Sequence, residues 1–167
     1  MSKLFLKIDL INEWTGRICG FAVVILTAIT FIEVVMRYFF NHPTIWSFEV
    51  AIMIFGFHFM MNMGHTMLHN GHVCIELIYI KLSRKGQAIL DIVGYSIFFF
   101  PFILAVLYKG TILAAESWAI KEVDWGVFPA PVYLYKTVIP VSVFLMLIQG
   151  IAIIGRSIMK FQEGSDV

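Results

Sequence analysis

Four long apolar stretches divide this chain, at residues 18–39, 46–68, 89–107 and 132–154. Each is about 20 residues long, the length an α-helix needs to cross a hydrocarbon layer of roughly 30 Å. None shows the period-two alternation of a membrane barrel strand, and all are too long to be one. Backbone polar groups in lipid need partners within their own segment, so the pattern predicts four transmembrane helices. The connections are short and no internal repeat appears, so residues 1–167 read as a single four-helix membrane domain.

Outside the spans the pattern changes. In "MSKLFLKIDLINEWTG", Leu4 and Ile8 recur at helical spacing with Ile11 and Ile18, while Lys3 and Lys7 point elsewhere. This predicts a short amphipathic helix lying on the headgroups. Asp9 and Glu13 deny the segment the uninterrupted apolar region of a cleavable signal peptide. The middle connection, "HNGHVCIELIYIKLSRKGQ", is half apolar and predicts a second interfacial segment. The last, "ESWAIKEVDWGVFPAPVY", mixes acids with Trp118, Trp125, Phe128 and Tyr133, rings suited to the headgroup layer.

Composition makes the class firm: 60% of residues are hydrophobic and only 14% charged. Soluble domains carry about a quarter charged residues, so this is an all-α integral membrane protein. Charge then sets its orientation. Lys3, Lys7, Arg17, Lys81, Arg84, Lys85, Arg156 and Lys160 fall on the side of the termini and middle connection. Only Arg37, Lys109, Lys121 and Lys136 fall on the other. Positive charge collects in the cytoplasm, so both termini are expected there. At a net charge of +1 with no basic patch, nucleic acid is not an expected partner. Cys19 and Cys74 lie near the cytoplasmic face in this topology, where a structural disulfide is not expected.

Candidate chemistry is sparse. His58, His65, His69 and His72 cluster on and after the second span, which raises the alternative of a haem-binding four-helix membrane anchor. Yet His58 and His65 share one helix face about 10 Å apart, whereas axial ligands of one haem must face each other. His58, Asn62 and His65 form a polar stripe that lipid would not tolerate, beside Gly56 and Gly64, which permit close helix approach. Glu33 lies deep enough to suggest a proton-coupled exporter, but Arg37 stands four residues on, in the order that favours pairing. No phosphate loop, nucleophile set or metal-ligand spacing appears, so neither enzyme, metal nor cofactor is expected.

The stretch "EVVMRYFFNHPTIWSFEV" joins the first two spans. Pro43 disfavours helical geometry just before it, so the first helix should end at Asn41-His42. Ser47 is expected to cap the second helix and to leave Glu49 in its positive first turn. Pro101 and Pro140 are expected to bend the third and fourth helices.

These residues resemble the small membrane subunit of the TRAP transporters, the tripartite ATP-independent periplasmic family. The resemblance is carried first by Arg37, Tyr38, Phe40, Asn41, Pro43, Trp46, Ser47 and Glu49 in register. His72, Val73, Glu76 and Leu77 in "GHVCIELI" follow, and then Pro131, Tyr135, Ile139 and Pro140 in "PVYLYKTVIPV". Together they cover about residues 20–150. Phe48 departs from the family, which often has an acid there. The resemblance implies a non-catalytic subunit bracing a large elevator-type membrane subunit that carries the substrate and sodium sites. A periplasmic substrate-binding protein would deliver an organic-acid anion, sialic acid or a C4-dicarboxylate, and membrane lipids would surround the complex. Glu33, Arg37, Asn41, Pro43, Trp46, Ser47, Glu49, His72, Glu76, Pro131, Tyr135 and Pro140 become candidates for structural or subunit-interface roles.

Overall fold

The computed structural model describes residues 2–69, 82–126 and 128–163. Its four long helical runs are Lys3–Tyr38, Ser47–Leu68, Arg84–Ile120 and Val132–Gln162, each apolar enough to cross a membrane. The first comprises α1 (Ser2–Gly20) and α2 (Ala22–Tyr38), separated by a single turn residue, Phe21. The second comprises α3 (Ser47–Met61) and α4 (Met63–Leu68), and the third α5 (Arg84–Gly94) and α6 (Phe100–Ile120). Short α7 (Val132–Lys136) leads into α8 (Val138–Glu163).

The helices run on well past the apolar stretches within them. The first run, at 36 residues, is about 54 Å long, more than the roughly 30 Å of a hydrocarbon layer. Residues 2–16 therefore extend the first span instead of forming a detached element. Their packed face is the polar one: Asn12 is buried, while Leu4, Ile11 and Ile18 are exposed. Apolar side chains that would be a liability in water face outward here, as lipid permits.

The two prolines lie at helix breaks. Tyr95–Phe99 forms one wide π turn, in which Phe100 N–H reaches back to Tyr95 O. That widening absorbs Pro101, which has no N–H and would crowd the carbonyl four residues earlier. Pro140 is the third residue of α8, where an unpaired N–H costs nothing, and the chain breaks instead at Thr137.

Packing is open. α2 lies against α3, α3 and α4 lie against α8, and α8 lies against α5 and α6. α1 crosses from α4 to α8. The spans thus stand in the order first, second, fourth, third, and no packed face joins the first to the third among the described residues. Away from α1, which lies on both α4 and α8, the helices stand in a single row that leaves broad faces uncovered; α2 buries none of its residues. Phe5 against Gly155 and Asp91 with Ser157 place α1, the later turns of α8 and α5 at one edge. The corner between α2 and α3 lies at the other.

Candidate functional site

The sequence candidates gather chiefly at that corner. Arg37 sits one turn after Glu33 on α2 and its Nη2 lies 2.7 Å from Glu33 Oε1. Glu33 Oε2 accepts from the Thr44 backbone N–H at 3.1 Å and from the Thr44 hydroxyl. Buried Ser47 adds a further hydroxyl near the carboxylate. Glu33 is therefore the hub of the turn, more than half of an ion pair. The chain reverses at Asn41, whose φ of 50° is left-handed, and His42 N–H then reaches Met36 O at 3.0 Å. Asn tolerates that conformation better than most residues because its short side chain can bond locally.

Ser47 does not cap α3, contrary to expectation. Trp46 occupies the cap position with no side-chain hydrogen bond, and Ser47 is already helical. Its hydroxyl is drawn instead to the Glu33 carboxylate, which competes with the free helix N–H groups. Glu49 does stand in the first turn of α3. Its Oε2 is buried with no hydrogen-bond partner, in a cavity of about 250 Å³ shared with Asp124 and Tyr135.

The last connection is fastened to the same edge. Lys121, left-handed at φ 49°, ends α6, and Glu122 N–H bonds Ser117 O at 3.0 Å. The Lys121 ammonium lies 4.3 Å from the Trp118 ring centroid and 5.1 Å from that of Tyr133. Glu122 pairs with Lys136, and Trp118 Nε1–H donates to the Thr137 hydroxyl at 2.8 Å. The Lys136 ammonium holds the Glu122 carboxyl below its ordinary value. Pro131 immediately precedes α7 and bridges to Val123. Tyr135 reaches α3 at Gly56, where an added Cβ would come within 1.7 Å of its hydroxyl oxygen.

Glu33, Arg37 and Ser47 thus share one cluster, while Glu49 and Tyr135 share a cavity. Asn41, Pro43 and Trp46 shape the turn, and Pro131 and Pro140 frame the entry to α8. His72 and Glu76, with Cys74 and most of the second interfacial segment, lie outside the described residues.

At the opposite edge lies a polar core that the sequence reading passed over. Asn12 Nδ2–H donates to Gln149 Oε1 at 2.8 Å, and both side chains are buried. Gln149 Nε2–H donates to Asp9 at 3.0 Å, and Asp9 pairs with Arg156 at 2.7 Å. Asp9, Asn12, Glu13 and Gly16 recur at helical spacing, a polar stripe that signals a packed face in a lipid-bathed helix. The second-span stripe meets that same face. His58 Nδ1 bonds the Cys19 carbonyl at 2.8 Å, Asn62 Nδ2–H donates to His58 O at 2.7 Å, and His69 Nε2 bonds Glu13 at 2.7 Å. The stripe is interhelical polar glue, and its single-helix geometry gives no support to a haem.

Four helices long and apolar enough to span a membrane, cross-tied by polar side chains, define a multi-pass membrane protein. The sequence family described as "Tripartite ATP-independent periplasmic transporters, DctQ component" matches residues 26–159. The chain belongs to that family and is a TRAP transporter small permease component. Among curated proteins, no relative matches it.

Proposed function

We propose that this chain is the non-catalytic brace of a sodium-coupled, binding-protein-dependent importer of an organic-acid anion. Its termini face the cytoplasm and its corner faces the periplasm, in a bacterial inner membrane. The observation that carries the reading is the open layer. The apolar faces are unclosed, while both edges are fixed by hydrogen bonds and ion pairs. A rigid sheet of helices with uncovered sides suits a subunit that packs against a large, moving membrane partner. The transport sites belong to that partner, and a periplasmic binding protein delivers the substrate. Sialic acid and C4-dicarboxylates are the substrate classes to test first.

Reconstitution into vesicles decides it. The chain, the large subunit and the binding protein together should import labelled sialic acid or a labelled C4-dicarboxylate when an inward sodium gradient is applied. The chain alone should import nothing. Coupled transport by the chain alone would overturn the brace reading and restore that of a self-sufficient exporter.

A further inference from the structure

The contact between α1 and α4 brings together a donor set that no single stretch of sequence contains. Glu13 projects from α1, His65 from α4, and His69, four residues on, from the C-terminal cap of α4. One carboxylate oxygen and one ring nitrogen from each histidine all lie within 4.8 Å of one another. We propose that Glu13, His65 and His69 bind a divalent transition-metal ion of the zinc class, which clips α1 to the end of the second span.

Donor chemistry comes first. Two imidazoles and one carboxylate form a set that zinc accepts, leaving a fourth position for water. Spacing comes second. Bonds of about 2.1 Å in tetrahedral geometry separate ligand atoms by ~3.4 Å. His65 Nδ1 already stands 3.4 Å from Glu13 Oε2. His69 Nε2, at 2.7 Å from the same oxygen, is at hydrogen-bond distance and needs only to open by a fraction of an ångström.

A third observation is independent of the clustering. His65 Nδ1 is buried yet has no hydrogen-bond partner, an unmet demand that a metal bond would satisfy. The backbone is also arranged to bring this ring close. A Cβ on Gly16 would stand 2.3 Å from His65 Cγ, so the glycine is what lets the imidazole lie over α1 beside Glu13. His69 is 57% exposed, which gives the ion a path in and room for a water ligand. Arg17 faces the site from α1 and holds the other carboxylate oxygen at 2.7 Å, which orients Glu13 and leaves Oε2 free to ligate. Ligation through His69 Nε2 would replace its hydrogen bond to Glu13.

The test uses the full-length chain in detergent, without a histidine tag and stripped with chelator. Cobalt(II) should bind one-to-one with visible ligand-field bands, and zinc should abolish them. His65→Asn, His69→Asn and Glu13→Gln should each weaken binding more than about tenfold, the lower end of what loss of an outer-shell partner costs. Zinc should raise the thermal midpoint of the parent chain and not that of His69→Asn. Because His69 is largely exposed, its variant should fold as the parent does by circular dichroism, and it decides the matter if the others do not fold. Absence of cobalt bands, or bands that persist at full affinity in His69→Asn, overturns the proposal.

Discussion

Thr44 hangs from Glu33 by two bonds, one from its backbone N–H and one from its hydroxyl, both to the oxygen that Arg37 leaves free. The carboxylate thereby closes the turn between the first two spans. Arg37 is the lesser partner, since its side chain is 58% exposed while that of Glu33 is 13% exposed. Exposed helical ion pairs contribute little. Glu33→Ala should therefore lower the thermal midpoint of the chain clearly more than Arg37→Ala, because it also strands the Thr44 donors. Thr44→Val should lie between them. Equal midpoints for the two alanine variants would show that the pair, and not the turn, is what Glu33 serves.

The left-handed conformation of Asn41 makes a separate prediction about the same turn. Asn41→Gly should be nearly neutral, since glycine adopts positive φ without steric cost. Asn41→Val should cost about 1–2 kcal/mol, because a branched Cβ clashes in that region. Reversible unfolding of both variants in mild detergent checks the ordering, and a tolerated valine would contradict it.

Close approach at Gly16 gives a third. An alanine there would place its Cβ 2.6 Å from His65 Cβ, an atom that cannot swing away. α1 must then shift from α4, at about 1–3 kcal/mol for overpacking. Gly20→Ala, where nothing lies within 4 Å of the added carbon, is the matched control and should be silent. Unfolding midpoints compare the two directly.

The pairing of Glu122 with Lys136 should appear as pH dependence. Its carboxyl titrates below the ordinary 4.5 in the folded chain, so folding favours the charged form. The resulting stability is fully present above the unfolded value and is lost as pH falls through the lower, folded one. The midpoint difference between the parent chain and Glu122→Gln should hold constant near neutrality and shrink in acid below about 4.5. A difference that grows in acid would reverse the sign of the argument.

How far the sequence carried these results depends on the range of each interaction. Span number and class were legible because lipid imposes a length and a composition on each helix. The Glu33–Arg37 pair was legible because i,i+4 spacing is local geometry. The role of Ser47 was misread because its competing partner, Glu33, lies on another helix. The pairing of Asp9 with Arg156 was invisible for the same reason: 147 residues separate them. The polar stripe of α1 was present in the sequence but was read as surface. In lipid the inference inverts, and polar residues mark the packed side.

That inversion yields the last prediction. Asn12 and Gln149 are buried and bonded to each other across 137 residues of chain. Replacing Asn12 by Leu removes a partner from Gln149 Oε1 in surroundings without competing water, at about 1–2 kcal/mol. Replacing Gln149 by Leu takes from Asn12 its acceptor on α8 and from Asp9 one of its two donors, leaving Arg156 as the other, so it should cost more. If the two side chains act as one device, the double variant should cost less than the sum of the singles, with a coupling of about 0.6 kcal/mol or more. Unfolding free energies of the four chains complete the cycle. Strict additivity would mean that each amide is held by other groups and that the bond between α1 and α8 does not tie the layer together.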